Sequence, residues 1–396
     1  MESMAAETAR EKRRGRWWRW LAAVGPGIVA LAGDNDAGGL LSYAATGQQF
    51  GAGFFVPLLV PLCLAAFVTL DMAARVGLAT GRGLASLIRE HLGPAWAYLA
   101  ALDLAVENWL TLVTEFAGMG YGLSRFGVPL IIGVPLSCLL VLALVARYPY
   151  RTAERLGVGL AAASLLFVPV AIWGWARGGG TVWVAHGGGS LDLFLVAAIG
   201  NALAPWMLFF QAQAVAAREH SALYRTRVDL AAGSVVQVIV AAAVVMIGAS
   251  GFLARDGGGI GRVAGYLFAI GIFDAGLVAA LTVSLSTAWA VAETLGHPAH
   301  PAARPAEEPV FYTCYAVGVS TAALVMLLPG ISATWVSVVV QAASAILMPP
   351  LLAGLLRLAN DRRVMGSHVN TPLMNAAGGL VLFGFTAAGL LWIIRG

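Results

Sequence analysis

Residues 25–44 read GPGIVALAGDNDAGGLLSYA, and this stretch decides how the chain folds. It belongs to an apolar run long enough to cross a membrane, yet Asp34, Asn35 and Asp36 stand near its middle with glycines on both sides. Gly costs about 1 kcal/mol in a helix relative to Ala, and a carboxylate at mid-membrane is expensive unless it faces a cavity or a partner. We therefore expect a helix that is broken here, with Asp36 as the first candidate binding residue.

The rest of the chain is equally apolar. Of its 396 residues, 59% are hydrophobic and 11% are charged, whereas soluble domains average about 25% charged residues. A helix needs about 20 apolar residues to cross the hydrocarbon core of a bilayer. Eleven runs meet this length, at residues 19–48, 53–79, 94–122, 128–146, 153–176, 191–217, 229–253, 264–294, 310–328, 334–357 and 373–394. The sequence thus predicts an all-α integral membrane protein with eleven transmembrane helices.

The distribution of the basic residues predicts the orientation, because Lys and Arg are retained on the cytoplasmic side. With the N-terminus inside, most of the 24 Lys and Arg residues fall on the cytoplasmic side. The exceptions are Arg125, Arg177, Arg255, Arg262 and Arg395. We expect a basic cytoplasmic segment at 1–18, a single transmembrane domain at 19–394 and an external C-terminus, in a multi-pass protein of a prokaryotic cell membrane. The positive charge reflects this orientation, so nucleic acid need not be invoked. The lipid bilayer is the expected surrounding, and no obligatory protein partner is expected.

A second interruption lies in the sixth run, where residues 198–213 read AIGNALAPWMLFFQAQ. Pro205 removes one helix hydrogen bond and clashes with the preceding turn, and Asn201 and Gln211 flank it. Interrupted helices at corresponding places in two halves mark the substrate site of transporters built from inverted repeats. The alternative is a pair of independent kinks.

Spans one and six are five apart, which predicts two inverted five-helix repeats, about 19–176 and about 191–357, with an extra helix at about 373–394. Unwound backbone exposes carbonyl oxygens, which together with a carboxylate favour a cation. A transporter is expected, and not an enzyme.

Short motifs along the whole chain carry a family resemblance. They are GPG at 25–27 followed by Asp36, ARVG at 74–77 with TGR at 80–82, Glu115-Phe116 with Gly118, LFAIGIFDAGL at 267–277, Gln341, and NDRRVMGSHVN at 360–370. In these motifs the chain resembles the natural resistance-associated macrophage protein (Nramp) transporters of divalent metals. The resemblance implies the fold shared with amino-acid–sodium symporters, with a metal bound between the first and sixth helices.

The chain departs from the family at two metal ligands. The family's first-helix motif supplies an Asp and an Asn, whereas here Asp36 is kept and Gly39 stands at the Asn position. The family's sixth helix reads Met-Pro-His, whereas here Ala204 and Trp206 flank the Pro. The candidate metal positions are Asp36, Gly39, Ala204 through its carbonyl oxygen, Gln341, and, in an outer hydration shell, Asp34 and Asn35. Alternatively, Asp34 and Asn35 cap the unwound segment and Gln341 bonds between helices.

These losses change the expected ion. A thioether selects soft transition metals, and Mg²⁺ usually keeps several waters and binds through one or two carboxylates. Without the Met and the Asn the site is expected to be wider and harder, which suits a partly hydrated Mg²⁺ ion, with Mn²⁺ as a second substrate. This resembles the prokaryotic Nramp-related magnesium transporters. No cofactor is expected, because the metal is the cargo.

Proton coupling in the family is associated with the sixth-helix His and with an Asp and a Glu of the third helix. Here the corresponding positions are Trp206, Leu112 and Glu115, of which only Glu115 titrates. We expect uncoupled transport, since a divalent cation gains about 4.6 kcal/mol from 100 mV of membrane potential. Two alternatives stay open: a proton-coupled Mn²⁺ or Fe²⁺ symporter, and an amine or amino-acid transporter in which Asp36 pairs with an amine.

One further acidic pair lies on the third run. Asp103 and Glu107 are four residues apart and therefore share one face of a helix. They mark either a solvent vestibule or a contact with another helix.

Overall fold

The computed structural model describes residues 25–147, 162–178, 180–182, 190–217, 223–251, 260–297 and 307–395, and all regular structure within these ranges is helical. The predicted basic segment 1–18 and the first part of the fifth run lie outside the described residues. The first eight α-helices are α1 Pro26–Gly33, α2 Ala37–Phe50, α3 Phe55–Thr80, α4 Leu84–His91, α5 Pro94–Ser124, α6 Leu130–Arg147, α7 Phe167–Gly178 and α8 Leu191–Gly200. The remaining seven are α9 Pro205–Ala216, α10 Leu223–Ala249, α11 Ile260–Thr294, α12 Pro309–Val325, α13 Ala333–Asn360, α14 Arg362–Met365 and α15 Pro372–Arg395.

The long apolar segments fit a membrane-spanning protein. Six of them, within the described residues, are long and apolar enough to cross a bilayer: α3, α8 together with α9, α10, α11, α13 and α15. Three shorter apolar helices coincide with the fourth, fifth and ninth predicted runs. An all-helical membrane architecture is thus confirmed, and the exact count of eleven spans stays a prediction.

Both predicted helix breaks are present. The first separates α1 from α2 at Asp34–Asp36, where Asp36 adopts an extended conformation (φ −72°, ψ 165°). The second separates α8 from α9, where Ala204 is extended as well (φ −98°, ψ 146°). Pro205 is the first residue of α9, a position at which its fixed φ and missing N–H suit a helix. Pro205 therefore starts a new helix after an unwound segment and does not merely kink a continuous one.

Two short helices, α4 and α14 (Arg362–Met365), lie outside the predicted runs. The α4 helix, Leu84–His91, lies between the second and third runs, and it buries Leu84, Leu87 and Ile88. It is amphipathic and only eight residues long, so a search for membrane-length apolar runs does not detect it.

Backbone-to-backbone packing brings the first break close to α10. A Cβ on Gly47 of α2 would overlap the carbonyl oxygen of Val245, and a Cβ on Gly248 of α10 would overlap that of Ala44. Small residues at such crossings let membrane helices approach closely. The pair α2 and α10 therefore forms a rigid support on one side of the first break.

Two motifs that are distant in the sequence meet at Arg75. Its guanidinium donates to Asp71 at 3.0 Å, to the carbonyl oxygen of His368 at 3.2 Å and to Asn370 at 2.5 Å. Asp71 also accepts a 2.7 Å hydrogen bond from Arg227 of α10. The ARVG motif of α3 and the NDRRVMGSHVN motif thus form one buried ionic cluster that ties α3 to α10 and to the segment before α15.

Candidate metal site

The Asp36 carboxylate lies at the first break and caps α2. Its Oδ1 accepts a 2.5 Å hydrogen bond from the backbone N–H of Gly39, and the residue is 4% exposed. The amino end of a helix carries a partial positive charge that stabilises a carboxylate. Asp36 is therefore held in place as a buried carboxyl group at the point where the helix is unwound.

Glu115 reaches the same helix end from α5. Its Oε2 accepts a 2.9 Å hydrogen bond from the backbone N–H of Ala37, and the side chain is fully buried. Two carboxyl groups thus share the amino end of α2. The structure places this predicted coupling position directly at the break, where it satisfies a backbone donor that the unwound segment leaves without a helical partner.

Gln237 of α10 links the two breaks. Its Nε2 donates to the Asp34 carboxylate and, at 3.4 Å, to the carbonyl oxygen of Ala202 in the second break. Its Oε1 is buried and has no protein partner. Sequence reasoning missed Gln237, although a single Gln within the apolar seventh run is the kind of signal that marks a polar contact inside a helix bundle.

The space beside Gly39 is occupied by Asn201 of the second break. The Asn201 Nδ2 donates a 3.2 Å hydrogen bond to the Gly39 carbonyl oxygen. A Cβ built on Gly39 would overlap Oδ1 of Asn201 and lie 2.9 Å from Oδ1 of Asp36. The expected widening of the site at Gly39 is therefore offset, because a different Asn brings its amide to the same place from the other broken helix.

A thioether lies at the second break, where the sequence analysis expected none. The sulfur of the fully buried Met207 accepts a 3.4 Å hydrogen bond from the N–H of Ala204, and the Ala204 carbonyl accepts from the N–H of Met207 at 3.1 Å. Sequence reasoning overlooked Met207 because it compared only the two residues that flank Pro205 with the family motif. Its sulfur is engaged with the backbone of the break, so Ala204 is positioned by Met207.

The two other coupling positions are apolar and buried. Leu112 is 2% exposed and belongs to the hydrophobic core. Trp206 is fully buried, packs edge-to-face with Phe210 at 6.0 Å between ring centroids, and lies against Gly33 at the end of α1. Its indole Nε1 has no protein partner. The Trp206 ring therefore closes one side of the site with a group that does not titrate.

Gln341 also reaches the site. Its Nε2 would lie 3.5 Å from a Cβ on Gly38, which would overlap the Thr114 hydroxyl as well. Asn35 is 2% exposed, and its Nδ2 has no protein partner. Asp34, Asn35 and Asp36 are thus buried together at the first break, where Gln341 approaches Gly38. Gln237 connects Asp34 to Ala202 of the second break, two residues before Ala204.

The donor set has a clear chemical character. In the part of the chain that the structure describes, no three His, Cys, Asp or Glu side chains converge on one point. The oxygen atoms that the first break offers to an ion are those of the Asp36 carboxyl group and of the amide and backbone groups around it. Oxygen ligands of this kind favour hard cations.

Comparison with known proteins identifies the family. The model of the Nramp family, described as natural resistance-associated macrophage protein-like, matches residues 27–395. The divalent metal cation transporter MntH of Levilactobacillus brevis is 31% identical over 158 residues, which cover 39% of this chain and 34% of that protein. MntH of Staphylococcus aureus is 28% identical over 153 residues, which cover 38% of this chain and 34% of that protein. The chain thus matches these curated relatives over only a third of their length.

Solved structures share the fold. A manganese transporter of Eremococcus coleocola superposes with a TM-score of 0.75 at 19% identity, covering 95% of this chain and 86% of that one. MhsT in complex with L-phenylalanine superposes with a TM-score of 0.61 at 13% identity, covering 93% of this chain and 97% of that one. At these identities the likeness concerns the fold alone. Since the family model spans nearly the whole chain, and the motifs and the two broken helices agree with it, this chain belongs to the Nramp family.

Proposed function

We propose that this protein is a multi-pass membrane transporter of divalent metal ions, and that it takes up Mg²⁺ as a partly hydrated ion and also carries Mn²⁺. The observation that carries the proposal is the position of the buried Asp36 carboxylate, at the first of two adjacent helix breaks. The matching relatives bear the name of divalent metal cation transporters, which supports the metal. Eleven spans, inverted repeats, an N-terminus inside and a C-terminus outside complete the proposed topology.

The preference for a hydrated ion rests on buried polar groups at the first break and on the helices α9 and α10. Asn35 Nδ2, Trp206 Nε1, Gln237 Oε1 and both amide atoms of Gln211 are buried without a protein partner. Buried polar groups are normally satisfied, and ordered water supplies the partner where protein does not. Mg²⁺ sheds water reluctantly, so a site that hydrogen-bonds to water suits it better than a tight cage.

The residues at the three coupling positions support uncoupled transport. Trp206 and Leu112 do not titrate, and Glu115 is engaged in capping α2 through the N–H of Ala37. Alternating access of the two broken helices, driven by the ion gradient and the membrane potential, then needs no proton.

The competing function is a proton-coupled Mn²⁺ symporter. Two observations favour it: the buried Glu115 carboxyl lies next to Asp36, and the Met207 thioether lies in the second break. An amine or amino-acid transporter is the alternative of another class, and the fold shared with MhsT is compatible with it.

Uptake into liposomes separates these functions. The purified protein is reconstituted with a metal indicator and a pH dye inside, and a K⁺ diffusion potential sets the interior negative. We expect Mg²⁺ and Mn²⁺ to enter faster at the negative potential, with no acidification beyond that of protein-free liposomes. Entry of Mn²⁺ with acidification, together with no entry or competition by Mg²⁺, would establish the symporter instead.

The Asp36→Ala variant tests the site itself. We expect it to abolish uptake and to leave only a weak heat of Mg²⁺ binding. The matched control is Asp192→Asn, which removes a carboxylate that pairs with Arg395 at 2.6 Å on the exposed surface. A binding heat with L-phenylalanine or a polyamine that depends on Asp36 would favour the amine transporter.

A further inference from the structure

The α5 helix carries a line of polar residues that continues away from the first break. Asp103, Glu107, Thr111 and Glu115 recur every four residues, so they lie on one face of the helix. Glu115 is at the break, and Glu107 lies two turns, or about 12 Å, towards the amino end of α5. The line therefore leads from the candidate metal site along the helix, through groups to which the proposed function assigns no role.

Glu107 is a buried carboxylate with one oxygen unsatisfied. Its Oε1 accepts hydrogen bonds from the Ser344 hydroxyl at 2.9 Å and from the Thr111 hydroxyl at 3.4 Å. Its Oε2 is buried and has no hydrogen-bond partner, and the residue as a whole is only 1% exposed. Contact with another helix, one of the two sequence-based alternatives, thus accounts for one oxygen and leaves the other unexplained.

The neighbouring Asp103 shows the same feature. It is 8% exposed, and its Oδ2 is buried without a partner. Within the described ranges neither Asp103 nor Glu107 forms an ion pair. The carboxyl groups of Asp36 and Asp103 both lie close enough to Glu107 to interact with it electrostatically.

Uncompensated buried carboxylates are unfavourable, so this arrangement calls for a counter-charge or for protonation. The hydroxyl partner of Glu107 indicates which groups would surround a cation. Ser344 lies one turn after Gln341 on α13, and Gln341 reaches Gly38 at the first break. Polar groups of both α5 and α13 therefore extend from the first break to Glu107.

We propose that Glu107, Asp103 and the Ser344 hydroxyl form a second site for a hydrated divalent cation, which receives the ion from Asp36 during transport. This second site rests on the proposed function and extends it by naming where the ion binds after Asp36. Two carboxylates one helical turn apart, with water completing the coordination, match the way Mg²⁺ is usually held.

Calorimetry with Mg²⁺ on the purified full-length chain tests the site without requiring transport. The Asp36→Ala variant should keep a weak Mg²⁺ binding heat, and the Asp36→Ala/Glu107→Gln variant should lose it. Glu107→Asp in the same background keeps the charge and should retain the heat. Equal heats in Asp36→Ala with and without Glu107→Gln would overturn the second site.

Transport kinetics give an independent measure. The Glu107→Gln variant keeps the shape of the side chain and the hydrogen bond from Ser344. We expect it to lower the maximal Mg²⁺ uptake rate roughly tenfold. The half-saturating concentration should change less, because initial binding at Asp36 is untouched. The matched control is Glu90→Gln on the exposed part of α4. There the hydrogen bond from Arg82 and its charge lower the pKa of Glu90, so the control removes a real charge.

The outcomes separate the two proposals. A wild-type protein that takes up neither Mg²⁺ nor Mn²⁺ overturns the proposed function, and the calorimetric pair still decides whether Glu107 binds the ion. If the Glu107→Gln variant transports Mg²⁺ as well as the wild type and shows the same binding heats, the second site is overturned. The proposed function then still stands, and Glu107 only bonds to Ser344 as an uncharged group.

Discussion

The backbone N–H of Ala37 donates a 2.9 Å hydrogen bond to Oε2 of Glu115, so a side chain of α5 caps a helix that begins in mid-membrane. Asp36 caps the same helix from within, through the N–H of Gly39. The unwound segment is therefore stabilised by two carboxyl groups, one local and one from a distant part of the chain. This arrangement gives Glu115 a structural task that is independent of proton transfer.

Replacing Glu115 separates these two roles. Glu115→Gln keeps an acceptor for the Ala37 N–H, so we expect uptake of Mg²⁺ to continue with the same dependence on external pH. Glu115→Ala removes the acceptor and should destabilise the protein by about 1 kcal/mol, as the loss of a helix cap does. Uptake at several pH values and thermal unfolding in detergent measure the two effects. A loss of uptake in Glu115→Gln at unchanged stability would indicate that Glu115 carries protons.

Exchanging the residues at positions 39 and 201 with each other should preserve part of the transport activity. Gly39→Asn introduces a Cβ that overlaps the Asn201 amide, and we expect an overpacking cost of about 1–3 kcal/mol together with loss of uptake. Gly39→Asn with Asn201→Gly moves the amide from the second break to the first and should recover part of the uptake. The comparison of Mn²⁺ and Mg²⁺ uptake in the two variants is the measurement. Full activity of Gly39→Asn alone would show that the site is wider than the contact with Asn201 indicates.

Replacing Met207 tests whether the metal site binds hard cations in preference to soft ones. Met207→Leu removes the sulfur at nearly constant volume, which usually costs less than about 1.5 kcal/mol. Because the sulfur bonds to the N–H of Ala204, we expect Mg²⁺ uptake to change less than roughly twofold and competition by Cd²⁺ to stay weak. Strong Cd²⁺ competition in the wild type that disappears in Met207→Leu would make the thioether a metal ligand.

Asp229 explains why α1 begins with two glycines around a proline. The N–H groups of Gly25 and Gly27 donate to its two carboxylate oxygens at 2.7 and 2.6 Å, and a Cβ on either glycine would overlap the Asp229 carboxylate. Asp229→Asn keeps one acceptor and loses the charge, so we expect a loss of about 1–2 kcal/mol in stability. Thermal unfolding compared with the surface control Asp192→Asn checks this. Equal unfolding temperatures for the two variants would mean that α1 is held by other contacts.

Much of the fold could be predicted from local sequence. Apolar runs located the helices, and the glycines and acids at 33–39 and Pro205 located both breaks, because these residues act on their own backbone. The short α4 helix was missed because it buries one face only and does not cross the membrane. The motif around Arg75 was recognised, whereas its hydrogen bond to Asn370 appeared only in the folded chain.

The sequence by itself determined that a carboxylate, Asp36, stands in an unwound helix without the neighbours its family usually supplies. Only the tertiary structure decided what surrounds it: Asn201 beside Gly39, Glu115 on the N–H of Ala37, and Gln237 on Asp34. These contacts join residues 162, 78 and 203 positions apart, respectively. Hydrophobic periodicity and the free-energy cost of Gly, Pro or a carboxylate in a helix are local properties of the chain. The groups that meet at a helix break depend on how several helices pack together.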